Sequence, residues 1–187
     1  SGTTACVVHY NQAGDTTYNA ASEVTSSTTA QKATATITFN AAPTPTYLGG
    51  NFTVSASTDN TDSSTLTYSY VSGPCAFVSG ATFSSSGAGT CVVQASGAAT
   101  ANFNAASQTQ NVSIAKATAT VTLGSLAQTY DGTPKSATAT TTPNGLTVDF
   151  TYNGSPTAPT NAGSYTVVGT INDANYVGTS TDTLVIS

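Results

Sequence analysis

Lys116-Ala117-Thr118-Ala119-Thr120-Val121-Thr122 decides the fold, because nearly the same heptad stands earlier as Lys32-Ala33-Thr34-Ala35-Thr36-Ile37-Thr38. The copies lie 84 residues apart, counted from Lys32 to Lys116. In both, small or β-branched apolar residues alternate with Thr, the period-two pattern of a strand with one apolar and one hydroxyl face. A segment recurring at this spacing can open a separate small domain each time, which favours tandem β modules over one large fold.

Composition points the same way. The 187 residues are rich in Thr, Ser, Ala, Gly and Val, contain no Met or Trp, and show no amphipathic helical pattern. Charged residues are 6% of the chain, far below the roughly 25% of ordinary soluble domains, so solubility rests on hydroxyls and amides. Disorder is opposed by nine Tyr and six Phe placed in alternating runs. With Lys32, Lys116 and Lys135 as the only Lys or Arg and a net charge of −5, no basic patch can neutralise phosphates, which excludes nucleic acid as a partner. No apolar run reaches the roughly 18 residues of a helical span, so no membrane insertion is expected. Without a visible signal peptide or initiator Met, the expectation is a processed product or a window from something longer.

Residues 1–31 read as the closing strands of an incomplete module. Thr4-Ala5-Cys6-Val7-Val8 matches Gly89-Thr90-Cys91-Val92-Val93, and Tyr18-Asn19-Ala20-Ala21-Ser22 matches Phe103-Asn104-Ala105-Ala106-Ser107, both at an offset of 85. The offset falls to 84 at the lysine, which suggests one extra residue near Thr28 to Gln31. An isolated hairpin is marginal in water, so these strands need a host sheet from upstream sequence or another chain.

Residues 32–115 alternate apolar and hydroxyl positions in several short runs: Ala35, Ile37 and Phe39; Phe52, Val54 and Ala56; Leu66, Tyr68 and Tyr70. Pro43, Pro45, Gly49-Gly50, Ser72-Gly73-Pro74 and Gly87-Ala88-Gly89 separate them. Residues 116–187 keep the plan, with turns at Asp131-Gly132 and Asn144-Gly145 and an expected strand over Leu146 to Tyr152. Ala162-Gly163-Ser164-Tyr165 aligns with Ala88-Gly89-Thr90-Cys91 if Tyr165 takes the cysteine position, and Asn175-Tyr176 aligns with Asn102-Phe103. Short antiparallel strands at this spacing predict an all-β chain of two-sheet sandwiches.

Residues 117–187, with Tyr130-Asp131-Gly132-Thr133-Pro134, Thr151-Tyr152-Asn153-Gly154 and Ala162-Gly163-Ser164-Tyr165, resemble the MBG/YDG-type repeats of large bacterial secreted and surface proteins. Residues 33–115, with Val71-Ser72-Gly73-Pro74-Cys75 and Gly87-Ala88-Gly89-Thr90-Cys91, resemble the related bacterial Ig-like repeats, and residues 1–31 resemble the end of one. The resemblance implies tandem immunoglobulin-like β-sandwich domains in an extracellular, stalk-like or adhesin-like protein, at the bacterial cell surface or secreted.

In such a compartment Cys75 and Cys91, flanking a Gly-rich connection, are read as a disulfide; two buried thiols are the alternative. Cys6 occupies the Cys91 position without a Cys75 counterpart, leaving three readings: a partner in missing sequence, a partner on another chain, or a free thiol. His9 is the single histidine and stands where Gln94 stands in the next repeat, which fits a tolerated surface position rather than a metal or nucleophile site. Asp59-Asn60-Thr61-Asp62 is read as an Asx-rich turn ahead of a Ca²⁺ loop, for which it lacks ligand density. Lys32 and Lys116 are read as charges discouraging edge-to-edge pairing, with an isopeptide crosslink to asparagine as the sharper alternative. Asn51, Asn111 and Asn153 fit the N-glycosylation pattern, which arises by chance in a chain this rich in Thr and Asn. The outward rows Thr34-Thr36-Thr38 and Thr118-Thr120-Thr122 are read as a solvated sheet face, with sugar or ice binding as the alternative.

No Ser, His and Asp constellation can be assembled, and no cofactor or metal is implied. The function expected is therefore non-catalytic and structural: a repeat segment of a stalk or filament whose partners are neighbouring copies or adjacent repeats of the same protein. The alternative is an adhesin module binding glycan or protein on a host surface through its loops.

Overall fold

A computed structural model describes residues 4–187. The chain is all-β, with twenty strands and no helix among the described residues.

The first element is a hairpin, β1 (Cys6–Tyr10) and β2 (Val24–Thr28), paired from Cys6 with Thr28 to Tyr10 with Val24. Every residue from Thr4 to Thr34 is exposed, so the hairpin packs on no core of its own chain. Its register moves the extra residue expected near Thr28 to Gln31. The Ala21 amide donates to Gln12 O, preserving the Ala106 to Gly97 pairing of the later copy at the offset of 85, whereas Tyr10 opposite Val24 already corresponds to Ala95 opposite Gln108. The insertion therefore falls at Ser22-Glu23, a bulge beside the loop, where an added residue disturbs the ladder least. The run Thr25-Ser26-Ser27-Thr28-Thr29 is too uniform to reveal this by residue identity.

The middle segment contains β3 (Ala33–Thr34), β4 (Ile37–Phe39), β5 (Asn51–Thr53), β6 (Ala56–Thr58), β7 (Thr67–Ser72), β8 (Cys75–Ser79), β9 (Thr82–Ser85), β10 (Gly89–Gly97), β11 (Phe103–Asn104) and β12 (Ala106–Ile114). Two three-stranded sheets, ordered β12-β10-β7 and β5-β9-β8, supply one core of Phe52, Val54, Cys75, Phe83, Cys91, Val93, Val112 and Ile114. Phe83 packs between Phe52, stacked at 5.9 Å, and the edge of Phe77 at 5.7 Å. Each fully buried Val or Phe here contributes roughly 1.5–3 kcal/mol, the main stabilisation available to a segment so poor in charge.

The last segment contains β13 (Ala117–Thr118), β14 (Thr120–Gly124), β15 (Ala127–Gln128), β16 (Thr138–Thr142), β17 (Val148–Tyr152), β18 (Gly163–Ile171), β19 (Tyr176–Val177) and β20 (Thr179–Ile186). A four-stranded sheet, β15-β20-β18-β17, faces the pair β14-β16. Between them lie Ala137, Tyr152, Val167, Leu184 and Ile186, with Ala119, Val121 and Ile171 forming a second cluster. The strand expected from Leu146 begins at Val148, because Asn144-Gly145 spends the intervening residues on the turn.

The repeated heptad is two strands rather than one. Ala33-Thr34 pairs in parallel with Phe103-Asn104, and the chain then crosses so that Ile37–Phe39 pairs with Ala56–Thr58. Ala117-Thr118 likewise pairs with Tyr176-Val177 before Thr120–Gly124 joins Thr138–Thr142. The alternating pattern survives the crossing: Ala35, Ile37, Ala117, Ala119 and Val121 are buried, and the intervening Thr residues are exposed.

Candidate functional site

Three features are candidates for function: the bare hairpin, the disulfide inside the middle core, and the joint between the middle and last segments.

On the hairpin, register equates Cys6, Val8 and Tyr10 with Cys91, Val93 and Ala95. The latter three are fully buried, whereas Val8 is 43% and Tyr10 58% exposed. A face that is core in one copy is thus bare in the other. The loop above it is held locally: Asp15 Oδ1 accepts the amides of Thr17 at 2.7 Å and Tyr18 at 2.8 Å, and these bonds hold its carboxyl below the usual carboxylate range. His9 Nδ1 donates to Glu23 Oε1 at 2.7 Å, joining the only histidine to the only glutamate, the residue the bulge inserts. Residue identity gave no sign of this pair, because it depends on the bulge.

Cys75 and Cys91 are disulfide-bonded, with Cα atoms 5.7 Å apart. Cys75 belongs to β8 and Cys91 to β10, so the bond ties the two facing sheets together inside the core. Cys6 is exposed and has no disulfide partner among the described residues. In the last segment Gly163 opposes Ile186 as Gly89 opposes Ile114, which puts Tyr165 at the Cys91 position, its hydroxyl donating to Asn161 O.

At the joint, Ala115 alone separates the end of β12 from Lys116. Its amide donates to Pro45 O, and its carbonyl accepts from the Tyr47 amide. Asn175 Oδ1 crosses to accept the Ala88 amide at 2.8 Å, and the Tyr47 and Tyr176 rings meet edge to face at 5.6 Å. A Cβ at Gly87 would lie 2.9 Å from Asn175 Oδ1, so a larger residue there would have to displace that side chain. Asp173 Oδ1 accepts the amides of Asn175 and Tyr176, and Lys116 Nζ donates to Asp173 O at 2.6 Å. Burial pushes the Tyr176 phenol up, with Tyr47 and Asp173 adding to it. Lys32 and Lys116, read from sequence as edge charges, are each hydrogen-bonded to a carbonyl of their own segment, Thr100 O and Asp173 O. The recurrence of Asn-aromatic at positions 102 and 175 was the available signal for the joint.

Residues 119–187 match the family model of the MBG domain. The match covers the last segment from Ala119 onward. A comparison with curated proteins finds no match to the chain. The matched segment supplies Asn175 and Tyr176 to the joint.

The remaining candidates are occupied by structural bonds. Asp59 Oδ1 accepts the Thr36 amide, Asn60 Oδ1 accepts those of Asp62 and Ser63, and Asp62 binds Asn102, so the Asp59 to Asp62 stretch forms an Asx turn. Asn51 and Asn111 are exposed on strands, while Asn153 sits in a turn with its Oδ1 on the Thr166 amide. One concavity, about 680 Å³, is an open groove between β4 and β12 lined by Thr36 to Phe39 and Gln108 to Asn111. Gln110 Nε2 donates to Asn40 O there.

Proposed function

We propose that the chain is a non-catalytic structural repeat segment of a bacterial extracellular stalk or filament, made of a first module of which residues 1–31 form the closing strands, a second over 32–115 and a third over 116–187. The observation that carries this reading is the bare face of Cys6, Val8 and Tyr10, whose equivalents Cys91, Val93 and Ala95 are fully buried. Two strands cannot shield such a face from water. Strand addition supplies the missing sheet from an adjacent repeat or a neighbouring subunit, and a head-to-tail contact of that kind propagates into a linear assembly. The disulfide between the sheets and the match to the MBG domain support an extracellular, surface-exposed setting. Electron microscopy of the native material tests the reading: extended stalks or fibres are expected, and compact isolated particles would overturn it.

An adhesin module is the second reading, favoured by the groove between β4 and β12 with its hydroxyl and amide lining. Binding on a glycan array that is lost with Gln110→Ala would support it.

A further inference from the structure

We propose that the leading end of the middle segment is a docking plug. Asn102 and Phe103 engage the trailing end of a completed first module as Asn175 and Tyr176 engage the middle segment. The inference rests on the completion of the hairpin proposed above and adds how the completed module is held.

The two ends are built alike. Phe103 opposes Ala33 and Tyr176 opposes Ala117 in short parallel pairs. The Ala33 amide donates to Asn102 O and the Ala117 amide to Asn175 O, both at 2.8 Å. Lys32 Nζ reaches Thr100 O and Lys116 Nζ reaches Asp173 O, both at 2.6 Å and both three residues before the aromatic. One difference remains. Asn175 Oδ1 is taken by the Ala88 amide, whereas Asn102 Oδ1 has no partner among the described residues. Asp62 binds the Asn102 backbone amide through Oδ2 and its side-chain Nδ2 through Oδ1, leaving the side-chain carbonyl oxygen as the unused acceptor.

The acceptor fits a free backbone amide beside a glycine, with a tyrosine ring next to it for Phe103. That is the trailing end of a module of the middle-segment type, where Gly87, Ala88 and Tyr47 supply those groups. The hairpin belongs to such a module by register and runs into Lys32 as β12 runs into Lys116. At the offset of 85, Gly2, which lies outside the described residues, stands at the sequence position of Gly87. A contact this small holds only between modules on one chain, where linkage supplies the effective concentration.

The test extends the full chain with a copy of residues 32–85 ahead of Ser1, so that the copied Ser85 runs into Ser1 as Ser85 runs into Ser86. Hydrogen exchange at Val8 and Tyr10 reports completion, and residual dipolar couplings report the joint. Both amides should become protected, and the first and middle modules should share one alignment tensor. Asn102→Ala with Phe103→Ala should split that tensor while Val8 and Tyr10 stay protected; if the double variant loosens the middle core, Asn102→Ala alone replaces it. Separate tensors in the parent, or a shared tensor surviving the substitutions, overturns the plug and leaves completion standing. Unprotected Val8 and Tyr10 overturn completion and the plug with it.

Discussion

Asp62 holds Asn102 with both carboxylate oxygens, Oδ2 on the backbone amide at 2.8 Å and Oδ1 on the side-chain amide at 3.0 Å. The bonds span forty residues of chain and fix the loop that precedes β11. They also determine how the middle segment responds to acid. The Asn102 side chain, then its backbone amide, hold the Asp62 carboxyl below its usual value. A carboxylate lowered in the folded state contributes stability that is fully present above the unfolded value of about 3.9 and is lost as pH falls toward the folded one. Asp62→Asn should therefore lower the urea midpoint at pH 7, and the gap from the parent should close below about pH 4. Asp15 and Asp131, also lowered, titrate in both proteins and cancel in the difference. A gap that persists unchanged into acid would show that the carboxylate charge is not what matters.

The disulfide closes a loop of 16 residues and joins facing sheets. Cys75→Ala with Cys91→Ala should destabilise the middle segment by about 3 kcal/mol in the loop-entropy account. Both cysteines are core residues, so lost packing adds to that figure. Equilibrium denaturation monitored at Phe83 or its neighbours checks the value, and a loss under about 1 kcal/mol would mean the sheets are held without it.

Tyr152 is a buried tyrosine whose hydroxyl oxygen accepts the Ala137 amide at 2.9 Å. Tyr152→Phe keeps the ring in the core of the last segment but leaves that amide unpaired, so about 1–3 kcal/mol should be lost. Exchange at the Ala137 amide should accelerate by the same free energy. Unchanged exchange would indicate that water takes the place of the hydroxyl.

Much of this architecture was legible from residue identity, because a half-buried strand writes its burial into a period of two. Ala35 and Ile37, Ala119 and Val121 went inside as the alternation with Thr required, and the Asp131-Gly132 and Asn144-Gly145 turns fall where Gly takes positive φ. The crossing of the heptad between two partners was hidden, since Ala and Thr serve either sheet equally well. The bulge at Ser22-Glu23 was hidden for a similar reason, and with it the His9 to Glu23 bond. Lys32 and Lys116 were legible as a repeat but not as carbonyl ligands, because their partners Thr100 and Asp173 share no residue type. The joint needed three stretches distant in sequence, around Tyr47, Gly87 and Asn175, to meet at one point.

Phe83 and Leu184 are each fully buried, in cores that share no residue. Phe83→Ala should cost about 3–5 kcal/mol and Leu184→Ala about 2–5 kcal/mol through lost transfer energy and a residual cavity. Because the cores share no residue and meet at the small Tyr47 and Asn175 joint, each loss should stay on its own side. Native-state hydrogen exchange would then show Phe83→Ala accelerating the β10 and β12 amides while those of β18 and β20 hold, and Leu184→Ala doing the reverse. Either substitution accelerating both sets equally would mean that the two segments unfold as one cooperative unit, and the picture of modules strung through a small joint would have to be given up.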